Sequence, residues 1–157
     1  MGISAVTAQI LKSVTSTTVG VGTVNGNASR RLLLTEFLCG SDAATLGTSN
    51  FRWELNRSTA DGTGTTVTQT YVDGHTPDGS ERVIVGSVKS NLSANGTLTS
   101  GAIVLTIALA QQATFRWVAN PGFEIVIPAS GTAGIHFMTP VCGGNPSVAA
   151  QITYEDR

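Results

Sequence analysis

The sequence predicts an all-β chain: an antiparallel β-sandwich or jelly roll of about nine or ten strands. Three observations predict it. Only 12% of the 157 residues are charged, while 41% are hydrophobic, and β-branched and small residues fill much of the rest. That composition suits strands and turns and leaves little charge for the outer face of helices. Short apolar runs alternate with clusters of Gly, Asn, Asp and Pro, the punctuation of strands and turns. No segment reads better as a helix than as a strand.

Taken in order, residues 3–12 read as a strand. Residues 14–27 are uncharged and rich in Gly and Thr, and read as an edge hairpin or as an arm that orders on a partner. The chain therefore divides into an N-terminal strand and arm, 1–29, and a jelly-roll domain, 30–157. Residues 30–39 are a strongly apolar strand expected at the centre of a sheet. In residues 51–57, Phe51, Trp53 and Leu55 alternate with Arg52, Glu54 and Asn56, the period-two pattern of a half-exposed strand. Residues 58–66 read as a loop, 67–72 as a short strand and 73–81 as an exposed loop of turn-forming residues. A strand at 82–89, a loop at 90–101 and a strand at 102–110 follow. Residues 114–140 read as a three-strand meander, with strands at 115–118, 123–127 and 135–139. Asn120-Pro121-Gly122 makes its first turn. After a loop at 141–147, Val148, Ala150, Ile152 and Tyr154 share one face of the last strand. Trp53 or Trp117 is expected to pack inside the sandwich.

The charge distribution bounds the function. A net charge of −1 argues against a non-specific nucleic-acid binder and against docking on an acidic membrane. No charged residue lies between Lys89 and Arg116, or between Glu124 and Glu155. A solvated monomer spreads charge over its outer faces, so these stretches predict faces covered by other chains. Arg outnumbers Lys, which occurs only at Lys12 and Lys89, and Arg is the cation interfaces favour. No run is long and apolar enough for a membrane span, and no signal peptide is visible. Cys39 and Cys142 read as free thiols of a protein made in a reducing cytoplasm, with a disulfide as the alternative.

No constellation for catalysis emerges. His75, in an Asp- and Gly-rich turn, reads as solvated. His136 lies on the opposite face from Ile135 and Phe137 and reads as a surface or interface histidine. Two histidines some sixty residues apart do not make a metal site, which needs three or four converging ligands. There is no Gly-x-Ser-x-Gly elbow and no phosphate loop. Glu54 and Glu124 read as outward strand residues. The expectation is a binding or structural module without catalytic residues, metal or cofactor.

Residues 113–128 (ATFRWVANPGFEIVIP), the following Gly134-Ile135 and Thr139-Pro140-Val141, and residues 51–73 (FRWELNRSTADGTGTTVTQTYVD) resemble a family of small all-β proteins encoded in tailed-phage genomes. These are jelly-roll capsid decoration, or cement, proteins. The resemblance spans about residues 30–154, and its motifs are structural. It implies a homotrimer on the outer surface of the virion head, made in the host cytoplasm and bound to the major capsid protein. Neither nucleic acid nor membrane is an expected partner. Capsid contact is expected from Ile3, Val6, Lys12 and Val14 on the arm and from Asp61 and Thr63 in a loop. The trimer interface is expected near Ile135, Phe137, Thr139 and Val141. The alternative is a receptor- or glycan-binding jelly-roll module of a phage tail fibre.

Overall fold

The computed structural model describes residues 5–12, 18–41, 51–72, 86–141 and 146–156. It is all-β. The strands are β1 (Ala5–Lys12), β2 (Gly22–Asn25), β3 (Leu32–Ser41), β4 (Phe51–Ser58), β5 (Thr63–Thr66), β6 (Thr70–Tyr71), β7 (Ser87–Ala94), β8 (Leu98–Leu109), β9 (Phe115–Val118), β10 (Ile125–Ile127), β11 (Gly134–Val141) and β12 (Val148–Asp156). They form two antiparallel sheets. Sheet A runs β10-β3-β12-β1-β6, with β9 also paired to β3, and sheet B runs β5-β7-β2-β11-β4-β8.

Removing β5, β6 and β7 exposes the plan. Sheet A then reads β1-β12-β3-β9/β10 and sheet B reads β2-β11-β4-β8. The first strand pairs with the last and the second with the one before it, and the pairs are dealt alternately to two sheets. That is the strand order of a jelly roll. The three removed strands are an insertion between β4 and β8. It lengthens both sheets at the edges formed by β1 and β2.

Period-two burial drives the assembly. On β1, Val6, Ala8 and Ile10 face the core. On β12, Val148, Ala150, Ile152 and Tyr154 do so, as the alternation predicts. From sheet B come Val24, Trp53, Leu55, Ile135 and Phe137. Phe37 of sheet A stacks on Phe137 of sheet B, and its ring meets Trp53 edge-on. Trp53 is the fully buried tryptophan. Trp117 is only partly buried and packs on the rim of the core.

Several expectations from the sequence change here. Residues 5–12 form β1, the strand expected at 3–12, and residues 22–25 are neither a free arm nor an edge hairpin. β1 lies between β12 and β6, and β2 lies between β11 and β7. The Gly/Thr-rich sequence around β2 hid this, because all four of its residues are buried with little apolar side chain. The meander is also corrected. β9 pairs with Glu36–Cys39 and β10 with Leu32–Leu34, so both lie along one edge of β3 and run in the same direction. Asn120-Pro121-Gly122 therefore does not reverse the chain. Residues 119–124 bulge out and rejoin the same strand line, and Gly122 takes φ +87° in that loop. Opposite the interruption, Thr35 is the extra residue of a bulge in β3. Its carbonyl accepts the Ala119 N–H at 2.9 Å. β11 then crosses to the other sheet.

The insertion was the least legible part. β5 falls in the expected loop at 58–66. β7 contains residues 87–89 of the strand expected at 82–89 and runs on into the expected loop at 90–101, residues 82–85 lying outside the described residues, and only β6 remains of the strand expected at 67–72. Within β7, Asn91 has φ 50°, a left-handed conformation Asn tolerates. Against it, the register with β5 takes four steps from Ser90 to Ala94 but two from Thr65 to Thr63. The bulge reverses the facing of the strand. Val88 joins the core, whereas Leu92 turns outward beneath the chain that crosses sheet B.

Candidate interaction surface

The outer faces of the two sheets differ. The outer face of sheet B is covered in part by its own chain, over β11 and its neighbours, while the side chain of Arg52 on β4 and Thr106 and Ala108 of β8 stay exposed. After β4, residues 59–62 run diagonally over the outer face to reach β5, and residues 95–97 return from β7 to β8. Thr59 N–H donates to Thr97 O at 2.9 Å, which ties the two crossings into a strap. Their approach is close enough that a Cβ on Gly96 would collide with the Ala60 carbonyl oxygen.

Under the strap lies a polar row. His136 of β11 has Thr23 on one side and Asn56 on the other, and Gly134 has Asn25 and Ser58. Thr23, Asn25, Asn56, Ser58 and His136 are all buried. The imidazole Nε2 accepts the Gly96 backbone N–H at 3.1 Å, so the neutral ring carries its proton on Nδ1, which has no protein partner. Lys89 of β7 pairs with one carboxylate oxygen of Asp61 and donates to Gly62 O at 2.9 Å. The other Asp61 oxygen is buried without a partner. Burial holds the His136 pKa below its ordinary value, while the Asp61 charge pulls it back up.

Sheet A is open. Its outward residues form cross-strand rows over β1, β12, β3 and β9. One row is Gln9, Gln151, Leu38 and Arg116, the next is Leu11, Ala149 and Gly40, and a third is Thr7, Thr153, Glu36 and Val118. The small residues Ala149 and Gly40 floor a groove of about 660 Å³ walled by Leu11, Leu38, Gln9 and Gln151. Leu11 is 52% exposed, Leu38 38% and Val118 55%. Arg116 Nε binds Glu36 Oε1 at 2.5 Å, which raises the guanidinium pKa through that hydrogen bond and the opposite charge. Beneath the groove is the buried free thiol of Cys39, pushed by burial up to about 12. In the loop joining β9 and β10 at the edge of sheet A, Phe123 stands 78% exposed beside the 119–122 turn.

The predicted contact residues divide sharply. Val6 is fully buried in the core, so it has no face to offer a capsid. Lys12 is buried too. Its ammonium donates to Gly20 O and Leu92 O, each at 3.0 Å, and to Val19 O at 3.3 Å, and burial lowers its pKa. It ties the end of β1 to β7 and to the segment before β2. Asp61 is held in the strap, and Thr63 of β5 is exposed. Ile135 and Phe137 are core residues and Thr139 is buried, so none of the three forms an outer interface. The uncharged run that marked them as an interface instead reflects a central strand buried on both faces. His136 is likewise no surface histidine. Ile3, Val14, Cys142 and His75 lie outside the described residues, and so does the side chain of Val141.

Sequence reasoning missed the outer face of sheet A. Its signal was present in the alternation Gln9, Leu11 on β1 and Ala149, Gln151 on β12. On β12 only the face of Val148, Ala150, Ile152 and Tyr154 was read, and on β1 no face was assigned. Among the described residues, no cluster of three or more His, Cys, Asp or Glu is placed to hold a metal ion. Among the same residues, no helix is long and apolar enough to cross a membrane. No protein-family model, curated protein or solved structure matches the chain.

Proposed function

We propose that the chain is a structural virion protein: a homotrimer that decorates the outer surface of a phage capsid and stabilises the head. The observation that carries this reading is the asymmetry of the two outer faces. Sheet B buries a polar row under its own strap, whereas sheet A leaves open a groove in which Leu11 and Leu38 are exposed between Gln9 and Gln151. An uncovered apolar patch on a β-sandwich is a site of association. Ala149 keeps the floor of the groove low beside Thr114, which covers Gly40, and Leu11 and Leu38 supply exposed apolar area.

β8 adds a second contact of the same kind. It is an edge strand of twelve residues paired only with β4 among the described residues, and no charge protects it. A long neutral edge recruits another strand unless something covers it. The trimer therefore places the face of sheet A between subunits. Exposed loops and strands such as β5, with Thr63, are left to meet the major capsid protein. Weak contacts repeated over many subunits hold such a shell by avidity. The resemblance of residues 113–128 and 51–73 to capsid decoration proteins points the same way.

Two measurements test the reading. Light scattering of the purified chain is expected to give three times the mass of one chain, and a monomer at micromolar concentration would overturn the trimer. Antibody raised against the chain is expected to label the heads of intact virions. Labelling confined to tail tips would instead support a receptor-binding role.

A further inference from the structure

We propose that the strap over sheet B is a pH-operated latch, closed while His136 is neutral and released when His136 takes up a proton. Both crossings pass over this ring. Gly96 donates to its Nε2, and a Cβ on Gly62 would lie 3.2 Å from the same atom. The bond exists only while Nε2 keeps its lone pair. Protonation puts a hydrogen on Nε2 that faces the Gly96 N–H, donor against donor, and creates a cation with no exposure to water. The closed strap cannot keep both groups where they are.

The charged groups around the ring decide the sign. From the strap, Asp61 favours the imidazolium, and its unpartnered oxygen is a ready acceptor. From β7, Lys89 neutralises the other Asp61 oxygen and opposes the imidazolium. β2 and β4 contribute Thr23 and Asn56, which are uncharged. On β11 itself, the nearest neighbours Ile135 and Phe137 are apolar. Loss of solvent outweighs the Asp61 charge, so the closed state binds the proton less well than the open state. The latch is thus fully closed above the ordinary value of 6.5. It weakens as pH falls below that value and stops weakening further once pH is below the depressed value of the closed state. Opening frees residues 59–62 and 95–97 and uncovers Thr23, Asn25, Asn56 and Ser58. This inference is independent of the trimer and of any capsid.

The experiment is amide hydrogen exchange of the full chain, read by NMR and corrected for the intrinsic pH dependence of exchange. Protection of the Gly96 and Thr59 amides is expected to fall by about tenfold between about pH 7.5 and 5 for each unit separating the two histidine pKa values. The Val72 amide, which donates to Ala5 O on the other sheet, is expected to stay constant. In His136→Gln an amide oxygen accepts the Gly96 N–H without titrating, so protection is expected to become independent of pH. Flat Gly96 protection in the unmodified chain overturns the latch, as does equal acid loss in His136→Gln. If His136→Gln does not fold, the ring carbon shifts of His136 in the unmodified chain decide. Titration below the ordinary histidine value supports the latch, and titration at or above it overturns it.

Discussion

Phe37 of β3 and Phe137 of β11 stack across the two sheets, with ring centroids 5.3 Å apart and planes 19° from parallel. Trp53 of β4 completes the group with its ring edge-on to Phe37, centroids 5.6 Å apart at 72°. This trio joins three strands of the roll, and all three side chains are fully buried. Phe137→Ala or Trp53→Ala is expected to cost about 3–5 kcal/mol in urea unfolding, because each leaves a cavity between sheets. Trp117→Ala, at the rim, is expected to cost about 1–2 kcal/mol. Equal losses at Trp53 and Trp117 would contradict this assignment of the core.

Lys12 offers a second measurement. Its ammonium satisfies three backbone carbonyls that no other described side chain is shown to reach. Lys12→Met keeps the stem and removes the donor. The expected loss is about 1–3 kcal/mol, the cost of leaving buried acceptors unpaired. A variant as stable as the parent would show that water reaches those carbonyls.

The groove on sheet A separates association from folding. Leu38→Asp places a charge among Leu11, Ala149 and Gln151 without touching the core. Sedimentation is expected to show at least about tenfold weaker self-association, the effect of losing one central contact, with an unchanged unfolding midpoint. Undiminished trimer would move the interface away from this face.

Cys39 lines the floor of the same groove, yet its thiol is buried and its pKa raised to about 12. The thiolate is the reactive form. In a Cys142→Ser background at pH 8, alkylation of Cys39 is expected to be at least roughly a hundredfold slower than that of an exposed cysteine. It should become fast on denaturation. Rapid labelling of the native chain would show that the groove opens to the core.

The roll was legible where apolar and polar residues alternate. Trp53 and Leu55 on β4, and Val148 through Tyr154 on β12, face the core as their spacing predicts. Legibility failed where burial does not depend on apolar side chains. Gly22 to Asn25 form a fully buried strand in which only Val24 is a large apolar residue, held by backbone pairing to β11 and β7 and by the Thr23 hydroxyl donating to Asn25 Oδ1. His136 and Asn56 looked outward and are outward, but a crossing chain more than thirty residues away in sequence from His136 covers them. Alternation reports which face a side chain occupies. It does not report what lies over that face, and so Ile135 and Phe137 were read as an interface when they are core.

The position of β12 has a kinetic consequence. In sheet A it lies between β1 and β3, and those two strands share no edge until it arrives. Strands 136 or more positions apart in the chain, such as Ala150 with Ile10, meet only in the completed roll. A nascent chain therefore carries β1 and β3 as unpaired apolar edges through most of synthesis. Closing such distant pairs is slow, and open edges recruit other chains meanwhile. Chains truncated before residue 148 should accumulate as aggregates, and the yield of native protein should depend on how long the unfinished edges are kept apart.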